Sequence, residues 1–355
     1  MSDVRPLDSA DIPAVADLFR AAMGPENDLS RPWLGDFLRE TLLESPWADP
    51  EIPSLVATGD DGAITGFIAS NVRPVVVDGK RLRSACCAHL VVDESARSRA
   101  VGPQLLGRYM SGPQDLTFTD TATEVVARMW RSFKGRMDVG RSTGWMLVLR
   151  PGPWALSLGR ARVQGRRPPG LATVPALPFH LAGTRLTGHR EPEPGPPAQT
   201  EPLTVAGLME HKDAILKGLR VHVDYDEAYM TWLFAQLDRL YATSEVVRRL
   251  VRRGGKAVGW FVYVHDSGGP GRVLQIAARE RDTDAVVEGL VEDARGRGVT
   301  VLTGRLEPNI VEALRRRWAV LGFEARTLLH AKEHAVLEAV STGPTLLTRL
   351  DGEWW

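Results

Sequence analysis

The stretch VVDESARSRAVGPQLLGRYM, residues 91–110, runs from a β-branched pair through two arginines and a Gly-Pro step into an apolar-periodic segment. Val91 and Val92 favour an extended backbone, and the spacing of Val101, Leu105 and Leu106 favours a helix, so the junction reads as strand, short loop, helix. The first N–H groups of a helix have no intrahelical acceptor, and their partial positive charge draws an anion such as a pyrophosphate. Ala100 and Gly102 are small enough to let a ligand reach that backbone. Pro103 is tolerated because its missing N–H would have been free anyway, and Arg97 and Arg99 add charge. The competing reading is an ordinary Gly-Pro helix start with solvated arginines. The elements around the junction decide between the two.

Upstream, Asp8, Ser9 and Asp11 precede Ile12, Val15, Leu18, Phe19 and Met23 at helical spacing, which predicts a capped amphipathic helix after a short strand near Val4. A second helix is expected over 32–43. Residues 53–92 then alternate β-favouring runs with Gly-Asp turns, the pattern of consecutive antiparallel strands. Downstream follow a strand at 115–119, a helix at 122–133 and a strand at 144–149. This mixed α/β order closes a first domain at 1–150.

Glycine and proline become dense over 151–202, and the run HREPEPGPPAQTEP rules out a regular helix or central strand there, so this segment is read as a connector, with 186–202 extended. The rest, 203–355, repeats the first order: helices at 205–219 and 226–237, strands at 244–253, 256–266 and 272–279, a helix at 282–297, a strand at 299–304, a helix at 309–322 and a strand at 324–332. The expected fold class is α/β, with two similar domains, each a mixed and mostly antiparallel sheet flanked by helices.

Composition narrows the partners. In 355 residues, Lys and Arg together number 44 and Asp and Glu number 44, so net charge favours neither nucleic acid nor a membrane surface. Arginine greatly outnumbers lysine, which fits a GC-rich bacterial coding sequence. The two cysteines, Cys86 and Cys87, are adjacent and poorly placed for an ordinary disulfide, which fits a reducing cytoplasm. Neither a signal peptide nor a membrane span is expected, and scattered histidines without ligand spacing predict no metal site.

The segment RSRAVG, Arg97 to Gly102, resembles the signature of the GNAT superfamily of N-acetyltransferases: Arg or Gln, two residues, Gly or Ala, any residue, Gly or Ala. VRPLDSADIPAVADLF resembles that family's first strand and helix, and GAITGFIAS its second-to-third strand hairpin. The resemblance implies that the anion is the diphosphate of acetyl-CoA or another acyl-CoA, held by Arg97, Ser98, Arg99, Ala100, Val101, Gly102 and Pro103. It also implies that Leu90, Val91 and Val92 of the fourth strand offer backbone groups to the pantetheine arm. The acceptor would be a small-molecule amine. His89 is the strand's only strong base and the candidate catalytic residue, since an imidazole titrating near neutrality suits general-base work. By strand parity His89 shares a face with Ala85 and Cys87 unless a bulge intervenes.

The family's thiolate-protonating tyrosine is missing: Trp130 or Arg131 stands near its slot, and an indole is no useful acid. Tyr109 is the nearest substitute, and Thr119, Asp120 and Thr121 either line the site or cap the next helix. In the second half the corresponding loop, ARERDTDAV, lacks Gly or Ala and carries Glu280, Asp282 and Asp284, which would repel a diphosphate. That half is read as a degenerate repeat. Two rival functions stay open: transfer from an aminoacyl-tRNA or acyl-carrier protein, and non-catalytic CoA binding. The aromatics of LTRLDGEWW would suit packing on the other domain or on a second subunit, as in a homodimer.

Overall fold

The computed structural model describes residues 3–23, 31–94, 100–156 and 197–354. Arg97, Ser98 and Arg99 lie outside the described residues, as does the connector over 157–196. The chain divides into two compact units, Met1–Asp138 with Arg326–Thr342 and Val139–Ala325 with Gly343–Trp355.

The first unit opens with β1 (Asp3–Pro6), α1 (Ile12–Met23) and α2 (Arg31–Leu42). Asp8 and Asp11 cap the entry to α1 reciprocally: the Asp8 carboxylate accepts from the Ala10 N–H at 2.9 Å and the Asp11 carboxylate from the Asp8 N–H at 2.9 Å. Then come β2 (Leu55–Thr58), β3 (Ile64–Val77), β4 (Lys80–Val92), α3 (Val101–Met110), β5 (Leu116–Ala122), α4 (Glu124–Ser132) and β6 (Arg136–Asp138). The two-residue turn between β3 and β4 is Asp78-Gly79, both at positive φ (47° and 80°), the backbone a tight hairpin requires.

The second unit contains β7 (Thr143–Val148), β8 (Gln199–Pro202), α5 (Val205–Leu216), β9 (Val221–Val223), α6 (Glu227–Leu240), β10 (Glu245–Arg253), β11 (Lys256–His265), β12 (Gly271–Ala278), α7 (Thr283–Gly296), β13 (Val301–Arg305), α8 (Val311–Arg316) and β14 (Val320–Phe323). The chain then gives β15 (Arg326–Ala331) and α9 (His334–Thr342) to the first unit and β16 (Thr345–Leu346) to the second.

The two sheets share one strand order. The first runs β1-β2-β3-β4-β5-β15-β6 and the second β8-β10-β11-β12-β13-β7-β14. Within these paths only the fifth strand is parallel to the fourth, β5 beside β4 and β13 beside β12. The sixth position is exchanged: β7 lies in the second sheet between β13 and β14, while β15 lies in the first between β5 and β6.

This exchange corrects the domain boundaries at 150 and 203. Alternating apolar residues mark GWMLVL and RTLLHA as strands, but the pattern is silent about which sheet each joins. Packing decides: Trp145 and Leu147 fill the second core, and Leu328 fills the first. The connector reading also ends too late, because Gln199–Pro202 pairs with β10 as the counterpart of β1. The helix expected over 309–322 stops at Arg316; Trp318 takes a left-handed φ of 57° and Val320–Phe323 is a strand.

Each unit needs a glycine beneath the helix that follows its fourth strand. A Cβ on Gly66 of β3 would lie 3.0 Å from Val101 Cγ1 and 3.1 Å from Leu105 Cδ1 of α3. One on Gly259 of β11 would lie 2.5 Å from Val286 Cγ2 of α7 and 2.3 Å from the Ala277 carbonyl oxygen. Close helix–strand approach, allowed by a missing side chain, places both helix starts against their sheets.

Candidate active site

The pair β4–β5 holds together only at its beginning. Ser84, Ala85 and Cys86 face Leu116, Thr117 and Phe118, and beyond Cys86 no further pair between these strands forms among the described residues. On its other side β5 pairs with β15 along its length, from Leu116 facing Ala331 to Ala122 facing Arg326. Among the described residues β4 and β5 part beyond Cys86. One wall of the gap is the edge of Cys87–Val92, and the other is the end of β5, where Thr119 and Asp120 are buried.

A bulge in β4 shapes that edge. Ala69 of β3 faces Ala88 and Phe67 faces Val91, so His89 and Leu90 together oppose the single residue Ile68. His89 takes a left-handed φ of 50°, an uncommon backbone state for a side chain of this size. The insertion reverses the parity expected from the sequence. Ala85 and Cys87 lie in the core cluster against α3, and Leu90 and Val92 pack there too. The His89 ring stands on the opposite face, edge-on to Phe19 of α1 at 5.0 Å and 79°.

Although the residue keeps some exposure at the bulge, its Nε2 is buried. Burial pushes the imidazole down to about 4, so the ring is neutral through the physiological range. Leu90, Val91 and Val92 are partly exposed, and their backbone on the β5 side carries no strand partner among the described residues. Backbone groups on such an edge need a partner, and a ligand or water can supply it.

The start of α3 adds the second element. Ala100 is its N-cap, in a left-handed conformation with φ of 57°, and among the described residues no side chain caps the helix there. The side chain of Val101 is buried, Gly102 is buried and Pro103 is exposed. A Cβ on Gly102 would meet Val92 Cγ2 at 3.5 Å and Met129 Sδ at 3.7 Å, ordinary contacts, so the fold itself leaves room for alanine. A helix start whose N-cap offers no capping side chain, beside a strand edge that has parted from its neighbour, suits an anion joined to an arm that bears amides.

The remaining expected residues resolve into structure. Tyr109 is buried, its hydroxyl donating to Ser70 Oγ at 3.1 Å, and burial pushes its pKa well above 10. It cannot serve as an acid at the opening. Trp130 is fully buried in the α3–α4 core, its indole N–H without an acceptor among the described residues, whereas Arg131 points outward near Glu124. Thr123, not Asp120 or Thr121, caps α4 by accepting from the Val126 N–H. Cys86 and Cys87 are both buried and form no disulfide. Among the described residues no group of His, Cys, Asp and Glu is arranged to hold a metal, and no helix is long and apolar enough to cross a membrane.

No family model matches the sequence, and no curated protein is similar to it. Solved structures are similar across nearly the whole chain. A probable N-acyltransferase from Enterococcus faecalis superposes with a TM-score of 0.58 at 12% identity, over 96% of this chain and 74% of that one. A GCN5-related N-acetyltransferase from Anabaena variabilis gives 0.59 at 10% identity, over 93% of this chain and 73% of that one. Both units have the GNAT fold. Saccharomyces cerevisiae N-myristoyltransferase with bound myristoyl-CoA is similar as well, with a TM-score of 0.51 at 11% identity over 93% of this chain and 79% of that one. At such identities the likeness is one of GNAT architecture, and the chemistry has to be argued from this chain's own residues.

The second unit keeps the GNAT frame and loses the junction. Its β12–β13 pairing is limited to Gly271 with Leu302 and Arg272 with Thr303, so the same opening begins. In place of a small-residue loop, Glu280–Asp282 forms a tight turn before α7. Two of its three acidic charges are compensated, which tempers the repulsion expected from the sequence: Asp282 lies 3.9 Å from Arg253, and Asp284 lies 2.7 Å from Arg317.

Proposed function

We propose that the protein is an acyl-CoA-dependent N-acyltransferase, most simply an N-acetyltransferase, that acts on a small-molecule amine through the first unit. The observation that carries this reading is the parting of β4 from β5 beside the start of α3, where the N-cap Ala100 offers no capping side chain. In this arrangement the pantetheine amides pair with the Leu90–Val92 edge. The diphosphate sits against the backbone of Ala100–Gly102 beside Pro103; Arg97, Ser98 and Arg99, which the signature assigns to it, lie outside the described residues. The thioester is thereby directed into the opening between the strands. The fold shared with a probable N-acyltransferase and with a myristoyl-CoA-bound transferase supports the donor class.

The acceptor amine attacks the thioester carbonyl carbon directly; the C–N bond forms, the C–S bond breaks, and CoA leaves as the thiolate. His89, or water held near it, takes the ammonium proton. A ring held near pKa 4 is a weak base, so its role is confined to an amine that arrives largely neutral. With Tyr109 sealed in the core, solvent protonates the thiolate. No step requires a metal.

Thermal-shift measurement with acetyl-CoA and longer acyl-CoAs tests the reading. Ligand at about 100 times its Kd stabilises the native state by about 2.7 kcal/mol. An unchanged melting temperature at saturating concentrations of all donors would refute it.

A further inference from the structure

The opening in the second unit is already filled, and what fills it is the chain itself. Residues 345–354 run into the gap where β12 and β13 part. β16 pairs in parallel with β9, Thr345 against Val221 and Leu346 against His222. The Leu347 carbonyl then accepts from the Arg305 guanidinium at the end of β13. The Leu350 N–H donates to the Leu274 carbonyl at 3.0 Å. Leu274 is the extra residue of β12: Val262 faces Gln275 and Tyr263 faces Val273, so Leu274 bulges as His89 and Leu90 do in β4.

Side chains lock the segment in place. Asp351 accepts from the Tyr225 hydroxyl at 2.5 Å, from the Thr348 N–H at 2.7 Å and from the Thr348 hydroxyl at 2.7 Å. Gln275 of β12 donates to the Thr348 hydroxyl at 3.0 Å and to Asp351 at 3.4 Å, and accepts from the Trp260 indole at 2.6 Å. Leu346, Leu347, Leu350 and Trp354 are buried, Trp354 edge-on to Trp232 of α6. The space left between Gln275, Arg305 and Thr348 is about 10 Å³. That is room for no more than one water.

We infer that the 345–354 strap is the resident ligand of the second unit, a peptide that takes that unit's bulged fourth-strand edge, so that an acyl-CoA has no site there. The argument compares two copies of one topology. In the first unit the bulged edge has no strand partner among the described residues; in the second the corresponding carbonyl is bound by the strap's backbone. A pantetheine arm could enter the second unit only by displacing buried leucines and the Asp351 network together.

Two measurements on the full chain test this. Native mass spectrometry with saturating acetyl-CoA is expected to show at most one CoA per chain; two would overturn the inference. Hydrogen–deuterium exchange is expected to show the amides of 345–351 as protected as those of β12. Asp351→Ala should speed their exchange at least tenfold and leave β3 and β4 unchanged. Thr348→Val, which removes only a hydroxyl, should act in the same direction if the first variant fails to fold. Exchange at the unprotected rate in the native chain, or indifference to both substitutions, would overturn the inference. The absence of any bound CoA would remove the first-unit reading, while the exchange data still decide the strap.

Discussion

Replacing His89 by Asn separates the imidazole's proton from its place in the bulge, because Asn tolerates the left-handed backbone observed there. The folded chain holds this ring at about 4, against an ordinary value of 6.5. Between those values the unfolded chain binds a proton that the folded chain refuses, so stability falls as pH drops from 6.5 towards 4 and levels off below. At one unit per 1.36 kcal/mol the full term is about 3 kcal/mol, and between pH 7 and pH 4.5 roughly 2 kcal/mol of it is expressed. The assay is urea unfolding of both proteins at the two pH values. Carboxylates common to both cancel in the difference, so the native protein should lose roughly 2 kcal/mol more than His89→Asn on acidification. Parallel losses would mean that the ring is not desolvated, and the assignment of its face against Phe19 would fall. The same neutrality predicts that no acid limb of kcat/KM between pH 5 and pH 8 belongs to this residue.

Three further substitutions separate architecture from chemistry. Tyr109→Phe removes a hydroxyl that donates to Ser70, and should cost about 1 kcal/mol of stability while CoA affinity and turnover stay unchanged; a fall in turnover without a fall in stability would return Tyr109 to the site. Gly102→Ala meets only ordinary contacts, and the signature admits alanine at this position, so it should leave the melting temperature within about 2 °C and acyl-CoA binding unchanged; a large loss of either would refute the placement of this residue. Its counterpart Gly259→Ala drives a methyl to 2.3 Å from the Ala277 carbonyl oxygen and should destabilise the second unit by about 2 kcal/mol or more, which calorimetry would read directly.

Much of this arrangement is legible in the residues. Period-3.6 and period-2 patterns locate α1, α3, α4 and the β2–β3–β4 meander, and Asp8 with Asp11 marks the first cap, because these signals are local. The strand exchange is not local. GWMLVL and RTLLHA carry equal strand character, and only the three-dimensional packing of Trp145 and Leu328 assigns their sheets. The strand Gln199–Pro202 is concealed by prolines suited to an edge position, and the three-residue β6 is too short to show a period.

At the site, the small residues Ala100 and Gly102 and the helix start can be read from composition alone. The bulge cannot, since one inserted residue leaves no mark on alternation until the partner strand is known, and it moves His89 to the other face. The strap was equally hidden. LTRLDGEWW has the look of exposed aromatics, yet Trp354 is buried, because its partners Trp232 and Tyr241 lie more than a hundred residues away.

The most direct measurement is hydrogen–deuterium exchange of the full chain with and without acetyl-CoA. The account predicts slowed exchange in Cys87–Val92 and at the start of α3, with no change in Gly271–Ala278. Protection centred on β12 and α7, or none anywhere at saturating donor, would contradict it.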